Sequence, residues 1–184
     1  DGDPHSASGA CTGVIGETLA GLNLGDSFTN VPGGTTAWTY TDTSGNYEDD
    51  SGTVGIVINK AAGTIVVASY EGVYDGQPHS AALISATGVN SEDLSGSVTV
   101  GTQTFTNVPG GTVAWSFEHN NYEAQNGTVE IVINKAAATI VVAGYEGVYD
   151  GQPYGAALTS ATGVNGKDLS GSVTVGTQTF TNVP

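Results

Sequence analysis

The sequence predicts an all-β protein of short strands, arranged as tandem two-sheet sandwiches with a period of about 75 residues. Three observations carry this. The composition holds 28 glycines, no methionine and only three basic residues, and the abundance of Gly, Thr and Val disfavours helix and favours strands and turns. Long stretches recur almost unchanged, the mark of a repeat architecture. Within each copy the apolar residues alternate with period two, as a half-buried strand requires.

The repeat is read directly. INKAAGTIVVASYEGVYDGQPH from Ile58 returns as INKAAATIVVAGYEGVYDGQPY from Ile133, an offset of 133 − 58 = 75 positions. Between Asp75–Pro109 and Asp150–Pro184 only five of 35 positions differ, among them His79/Tyr154 and Glu92/Lys167. The first copy is more diverged but keeps FTNVPGG at Phe28–Gly34, Trp38 opposite Trp115, and SGTVGIVINK opposite NGTVEIVINK. Length changes fall in expected loops, where insertions are tolerated. Residues 1–60 are read as a partial module lacking its first strand, 61–135 as a complete one, and 136–184 as a partial one whose C-terminal half is missing. The chain is therefore expected to be an excerpt of a longer array.

The elements follow in order. Thr36, Trp38 and Tyr40 share one strand face, as do Val113, Trp115 and Phe117 in the next copy, so Trp38 and Trp115 are expected to anchor their cores. TIVVAS (Thr64–Ser69) runs into YEGVYDG with no turn signal, which predicts one long strand or two with a kink near Gly72. Tyr70 and Tyr74, and their counterparts Tyr145 and Tyr149, are expected as further core anchors on that strand. Gly76 and Pro78 end it, because proline lacks the N–H a ladder needs. HSAALISATG predicts the next strand, SGSVTVG and QTFTNVP a hairpin around Gly101-Thr102, and Thr128–Lys135 a strand with Val129, Ile131 and Ile133 inward. Seven or so short strands in about 75 residues point to an immunoglobulin-like antiparallel sandwich.

The string YDGQPH, with ATGVNSEDLSG, TNVPGGT, WSF, NY, NGT and INKAAATIVV, resembles the MBG-type and related immunoglobulin-like repeats of large bacterial secreted and cell-surface proteins. The resemblance spans essentially the whole chain. It implies extracellular β-sandwich modules that serve as a stalk, an adhesin segment or the body of a surface filament, without catalytic residues. The first copy departs from the pattern at DGDPH, GVIGETLAG and Cys11.

Charge and motifs narrow the function classes. A formal net charge of −15 repels phosphate backbones and anionic lipid, so neither nucleic acid nor membrane insertion is expected. One cysteine, Cys11, cannot close an internal disulfide. A site that defines the module should recur in each copy, and the histidines do not: His79 is replaced by Tyr154. A zinc site or a His-based nucleophile is thus not expected, and the reading is non-enzymatic with no obligatory cofactor. Calcium is the candidate ion, at the acidic loop Asp42, Glu48, Asp49 and Asp50, since hard cations take oxygen ligands. Glu71 and Asp75 lie about 13 Å apart along a strand and cannot share one ion. Asn126-Gly127-Thr128 fits the N-glycosylation pattern in an expected turn. Lys60 and Lys135, at the joins, are read as boundary lysines with the amine in water rather than as isopeptide donors. The expected partners are neighbouring repeats and, by strand exchange, other copies in a filament. The alternative function is a module that recognises carbohydrate or calcium through its loops.

Overall fold

The computed structural model describes residues 1–181; Asn182, Val183 and Pro184, the end of the third copy's TNVP, lie outside the described residues. The fold is all-β, with regular structure confined to strands and single 3-10 turns among the described residues. The first copy carries β1 (Leu22–Asn23), β2 (Gly33–Tyr40) and β3 (Asp50–Val57). The second carries β4 (Thr64–Ala68), β5 (Tyr70–Val73), β6 (Ala82–Thr87), β7 (Val98–Val100), β8 (Gly110–Phe117) and β9 (Gln125–Asn134). The third carries β10 (Thr139–Ala143), β11 (Tyr154–Gly155), β12 (Ala157–Thr162) and β13 (Thr179–Phe180). Strand orders are β1-β2-β3, β4-β6, β5-β9-β8-β7, β10-β12 and β11-β13.

The kink expected near Gly72 lies earlier, at Ser69, and the two halves belong to different sheets. β4 runs antiparallel to β6, with Thr64 opposite Thr87 and a bulge between Val66 and Val67. β5 runs parallel to β9, with Tyr70 opposite Ile131 and Val73 opposite Asn134. The expectation of purely antiparallel pairing is therefore corrected. A strand that changes sheet without reversing keeps its direction, so it meets one neighbour antiparallel and the other parallel. The third copy repeats the first half of this arrangement: β10 pairs with β12 in the same register, with the bulge at Val141/Val142.

The expected hairpin at Gly101-Thr102 does not form. β7 pairs with β8, Val98 opposite Phe117, while Phe105 pairs through a bridge with His79. The turn before β8 has Gly110 at φ 92°, and a Cβ there would strike the Ile131 carbonyl oxygen. Glycine meets both demands, a positive φ and a close backbone approach. Gly33 at φ 87° does the same in the first copy against Ile56.

Two compact units are distinguished, one comprising residues 1–68, 82–100 and 114–127, the other 69–81, 101–113 and 128–184. In the first unit the core is Ala86, Leu94, Phe117 and Tyr122, with Ile65, Leu83, Val98 and Trp115 packed against it. Phe117 and Tyr122 meet edge to face, their centroids 6.4 Å apart. In the second unit Val113, Ile131, Ile133 and Ala161 are buried.

The core anchors differ from expectation. Trp38 and Trp115 are half-buried, and the fully inward positions on their strands are Thr36 with Tyr40 and Val113 with Phe117. Each tryptophan instead covers a glycine on the neighbouring strand, Trp38 over Gly52 and Trp115 over Gly127, where a Cβ would meet the indole. Tyr70 and Tyr74 are half-buried, whereas Tyr145 and Tyr149 are 51% and 63% exposed. The difference follows the pairing: Tyr70 lies opposite Ile131 of β9, whereas residues 144–150 form no strand.

Phe117→Ala should cost about 3–5 kcal/mol by leaving a cavity where the ring packs. Urea denaturation followed by tryptophan fluorescence checks this; a loss below about 1 kcal/mol would show that the ring is not the centre of that core.

Candidate functional site: recurrent clamps and repeat joints

What recurs in space, copy after copy, is a set of loop clamps. Tyr122 is buried, and its hydroxyl accepts the Val89 N–H at 2.9 Å and donates to the Glu92 carboxylate at 2.6 Å. Gly88 makes room, because a Cβ at that position would fall on the Tyr122 hydroxyl. The first copy reproduces the clamp: the Tyr47 hydroxyl accepts the Val14 N–H and donates to Glu17. All three positions lie one period earlier, since 122 − 47, 89 − 14 and 92 − 17 each equal 75. Burial and the Glu92 bond hold the Tyr122 phenol above its ordinary range, and the Tyr47 bond holds the Glu17 carboxyl below its own.

A second recurrent element is the Asp-Gly turn that follows the divided strand. Asp75 accepts the Gln77 N–H at 2.8 Å and contacts His79 Nε2 at 3.1 Å. Asp1 contacts His5 Nε2 at 2.9 Å, and Asp150 accepts the Gln152 N–H and the Tyr154 hydroxyl. The ring at this position also stacks on the strand tyrosine, Tyr70 on His79 at 3.8 Å and Tyr145 on Tyr154 at 3.5 Å between centroids. The His79/Tyr154 exchange is therefore conservative in shape: both are flat rings that reach the same aspartate and the same tyrosine face.

These turns are also where one copy meets the next. Asn165 of the third copy donates its side-chain N–H to the Asp75 carbonyl at 3.1 Å. Asn90 of the second copy donates to the Asp1 carbonyl at 2.8 Å. Both asparagines sit in the left-handed region, at φ 54° and 53°, which Asn tolerates better than most side chains. Opposite them, Gly76 and Gly2 have φ 79° and 82°, and a Cβ on either would lie under 3 Å from the asparagine amide nitrogen. In the first unit the joint is broader. Asn121 accepts the Val31 N–H at 3.0 Å and donates to Asn30 at 2.8 Å, while the Lys60 ammonium donates to the His119 carbonyl at 3.0 Å. Lys60 and Lys135 are both exposed, as boundary lysines.

The acidic loop is organised around one residue. The Asp42 carboxylate accepts the N–H groups of Ser44, Asn46 and Tyr47 and the Ser44 hydroxyl, and Asp49 accepts the Asp42 N–H. These donors, the Tyr47 N–H first, hold its carboxyl far below the usual carboxylate range. Asp50 caps its own neighbour, Ser51, at 2.8 Å, and Glu48 is exposed. Among the described residues no three His, Cys, Asp or Glu side chains are grouped to hold a metal ion. Asn126 lies on β9 with its residue exposed, not in a turn as the pattern suggested.

Sequence reading singled out the tyrosines of YEGVY and passed over Tyr47, Tyr122, Asn90 and Asn165. The signal was present, since GVxxE followed by Tyr recurs in the first two copies, but only folding brings Tyr122 back across 30 residues to Glu92. Compared with protein-family models, with curated proteins and with solved structures, the chain matches none.

Two outcomes follow. Tyr122→Phe should lose about 1–3 kcal/mol, the cost of stranding the Val89 N–H, while Glu92→Gln, which keeps an acceptor, loses less; equal losses in denaturant titration would count against the clamp. The carboxyls of Asp42, Asp75, Asp93, Asp150 and Asp168 are all held low by hydrogen bonds. Their contribution is complete above the unfolded value near pH 4 and drains as pH falls through the lower folded values. The melting temperature should thus hold between about pH 7 and 5 and drop below about pH 4, as a calorimetric series would record.

Proposed function

We propose that this chain is a non-enzymatic segment of an extracellular, tandem immunoglobulin-like repeat array, and that it serves as a tension-bearing stalk or adhesin segment. The observation that carries the reading is the parallel pairing of β5 with β9. β5 lies near the start of the complete repeat and β9 near its end. Tension on the chain pulls β5 toward its N-terminal side and β9 toward its C-terminal side. For parallel neighbours those pulls oppose along the strand axis, so the ladder is loaded in shear and its bonds resist together instead of unzipping one at a time.

Further support comes from what the copies hold in common. The features that recur are strand registers, loop clamps and joints, and the joints are hydrogen-bonded at both places where copies meet. The divided first strand and its sandwich-like sheet arrangement favour an immunoglobulin-like topology. The resemblance of the sequence motifs to bacterial surface repeats supports the extracellular location.

Single-molecule stretching between the chain ends tests the reading. Loss of the β5–β9 ladder frees 134 − 70 = 64 residues, so one step of roughly 220 Å of contour should follow a distinct force peak. Strand alternation puts the Gly72 N–H on the same side as that of Tyr74, which donates to the Asn134 carbonyl. Gly72→Pro should therefore lower that peak markedly. A featureless extension, or a peak unchanged in Gly72→Pro, would overturn it.

A further inference from the structure

In the first two copies the loop that leads to the clamp tyrosine is tied from within by one acceptor, and the copies use different chemistry for it. In the first copy the acceptor is Asp42, two residues after Tyr40, which takes the N–H of Asn46, the residue before Tyr47, at 2.7 Å. In the second it is His119, two residues after Phe117, whose Nδ1 takes the N–H of Asn121, the residue before Tyr122, at 3.2 Å. Tyr40 and Phe117 are the buried last residues of β2 and β8, so Asp42 and His119 stand at equivalent positions. The Asp42 carboxyl is held far below the usual carboxylate range and therefore stays an acceptor. An imidazole Nδ1 accepts only while the ring is neutral, because both nitrogens of the protonated ring are donors.

The His119 loop is also the part of the second copy that grips the first. Asn121 accepts the Val31 N–H and donates to Asn30, and the His119 carbonyl accepts the Lys60 ammonium. These residues all belong to one compact unit. His119 and Asn121 are both half-buried. The titratable groups packed about the imidazole are Lys60 and the exposed Glu118, which line one cleft with it, and Tyr122, whose ring centroid is 5.1 Å away and whose hydroxyl is held by Glu92. Asn30 and Val31, from the first copy, add no charge.

We propose that His119 is a pH switch for the joint between the first and second copies: the joint is held while the ring is neutral and released when the ring takes a proton. Protonated, Nδ1 carries a hydrogen and meets the Asn121 N–H donor to donor. The new positive charge also lies on the residue whose carbonyl already holds the Lys60 ammonium, which disfavours the closed loop a second time. Asn121 then leaves its partners, and the bonds to Val31 and Asn30 go together because one side chain makes both. The Asp42 loop does not respond, since its acceptor keeps its charge. Histidine is the side chain type that changes charge between about pH 5 and 8, so release comes as pH falls through that window, above the range in which the carboxylates drain. The cores keep their contacts, and what changes is the stiffness of the array at this joint. Docking of successive copies is all that the switch shares with the proposed function; location and load play no part in it.

Amide hydrogen exchange of the whole chain, read residue by residue by NMR and corrected for the intrinsic pH dependence of exchange, tests the switch. Protection of the Val31 and Asn121 N–H groups should fall by roughly ten-fold or more between about pH 7.5 and 5. The Leu94 N–H, bonded to the Ala86 carbonyl in the core of the same unit, should keep its protection. His79→Tyr, the exchange that the third copy itself carries at Tyr154, removes a second titrating ring and should leave the fall intact. His119→Asn and His119→Asp each place there an acceptor that does not titrate in this window, and at least one of them should hold both amides protected at both pH values. Equal wild-type protection at the two pH values, a parallel fall at Leu94, loss of the effect in His79→Tyr, or failure of both acceptor variants to hold the amides at pH 5 would overturn the proposal. None of these outcomes bears on the β5–β9 ladder, so the switch and the tension reading fail separately.

Discussion

Everything in the repeat hangs on a single run of chain serving two sheets. From Thr64 to Val73 the backbone stays extended, but at Ser69 it leaves β6 and takes up β9. That crossing ties the first residues of the repeat to its last strand. It also makes the strand direction parallel to β9.

The joints rest on a different constraint, the meeting of two residues with positive φ. An Asp-Gly turn from one copy and a left-handed Asn from the next approach so closely that a Cβ on either glycine would lie under 3 Å from the asparagine amide nitrogen. The asparagine then satisfies a carbonyl that the turn leaves free. Because the turn is also gripped by the Asp75 carboxylate and the His79 ring, the divided strand, the turn and the joint form one connected element. The strand, its turn and the contact with the next copy thus meet in the YEGVYDGQP segment.

Much of this was legible in the chain itself. The period, the all-β class and the inward faces of β8 and β9 follow from alternation and repetition, and Val113, Phe117, Ile131 and Ile133 are indeed buried. Tryptophan was overrated as a core centre because size suggests burial, whereas Trp115 lies over Gly127 at the margin. The acidic loop looked like a cation site because its charges are close in sequence. In space the Asp42 oxygens face backbone N–H groups, which organise the loop from within.

By itself the sequence determined the period, the strand alternation and the strand end at Gly76 and Pro78, because these are local properties of a few consecutive residues. Tertiary structure alone decided that β5 lies parallel to β9, that Tyr122 reaches back to Val89 and Glu92, and that identical YEGVY segments are half-buried in one copy and exposed in the next. The physical reason is the same in each case: a strand's environment is set by the neighbour it meets across the sheet, and that neighbour lies some 30 to 60 residues away along the chain.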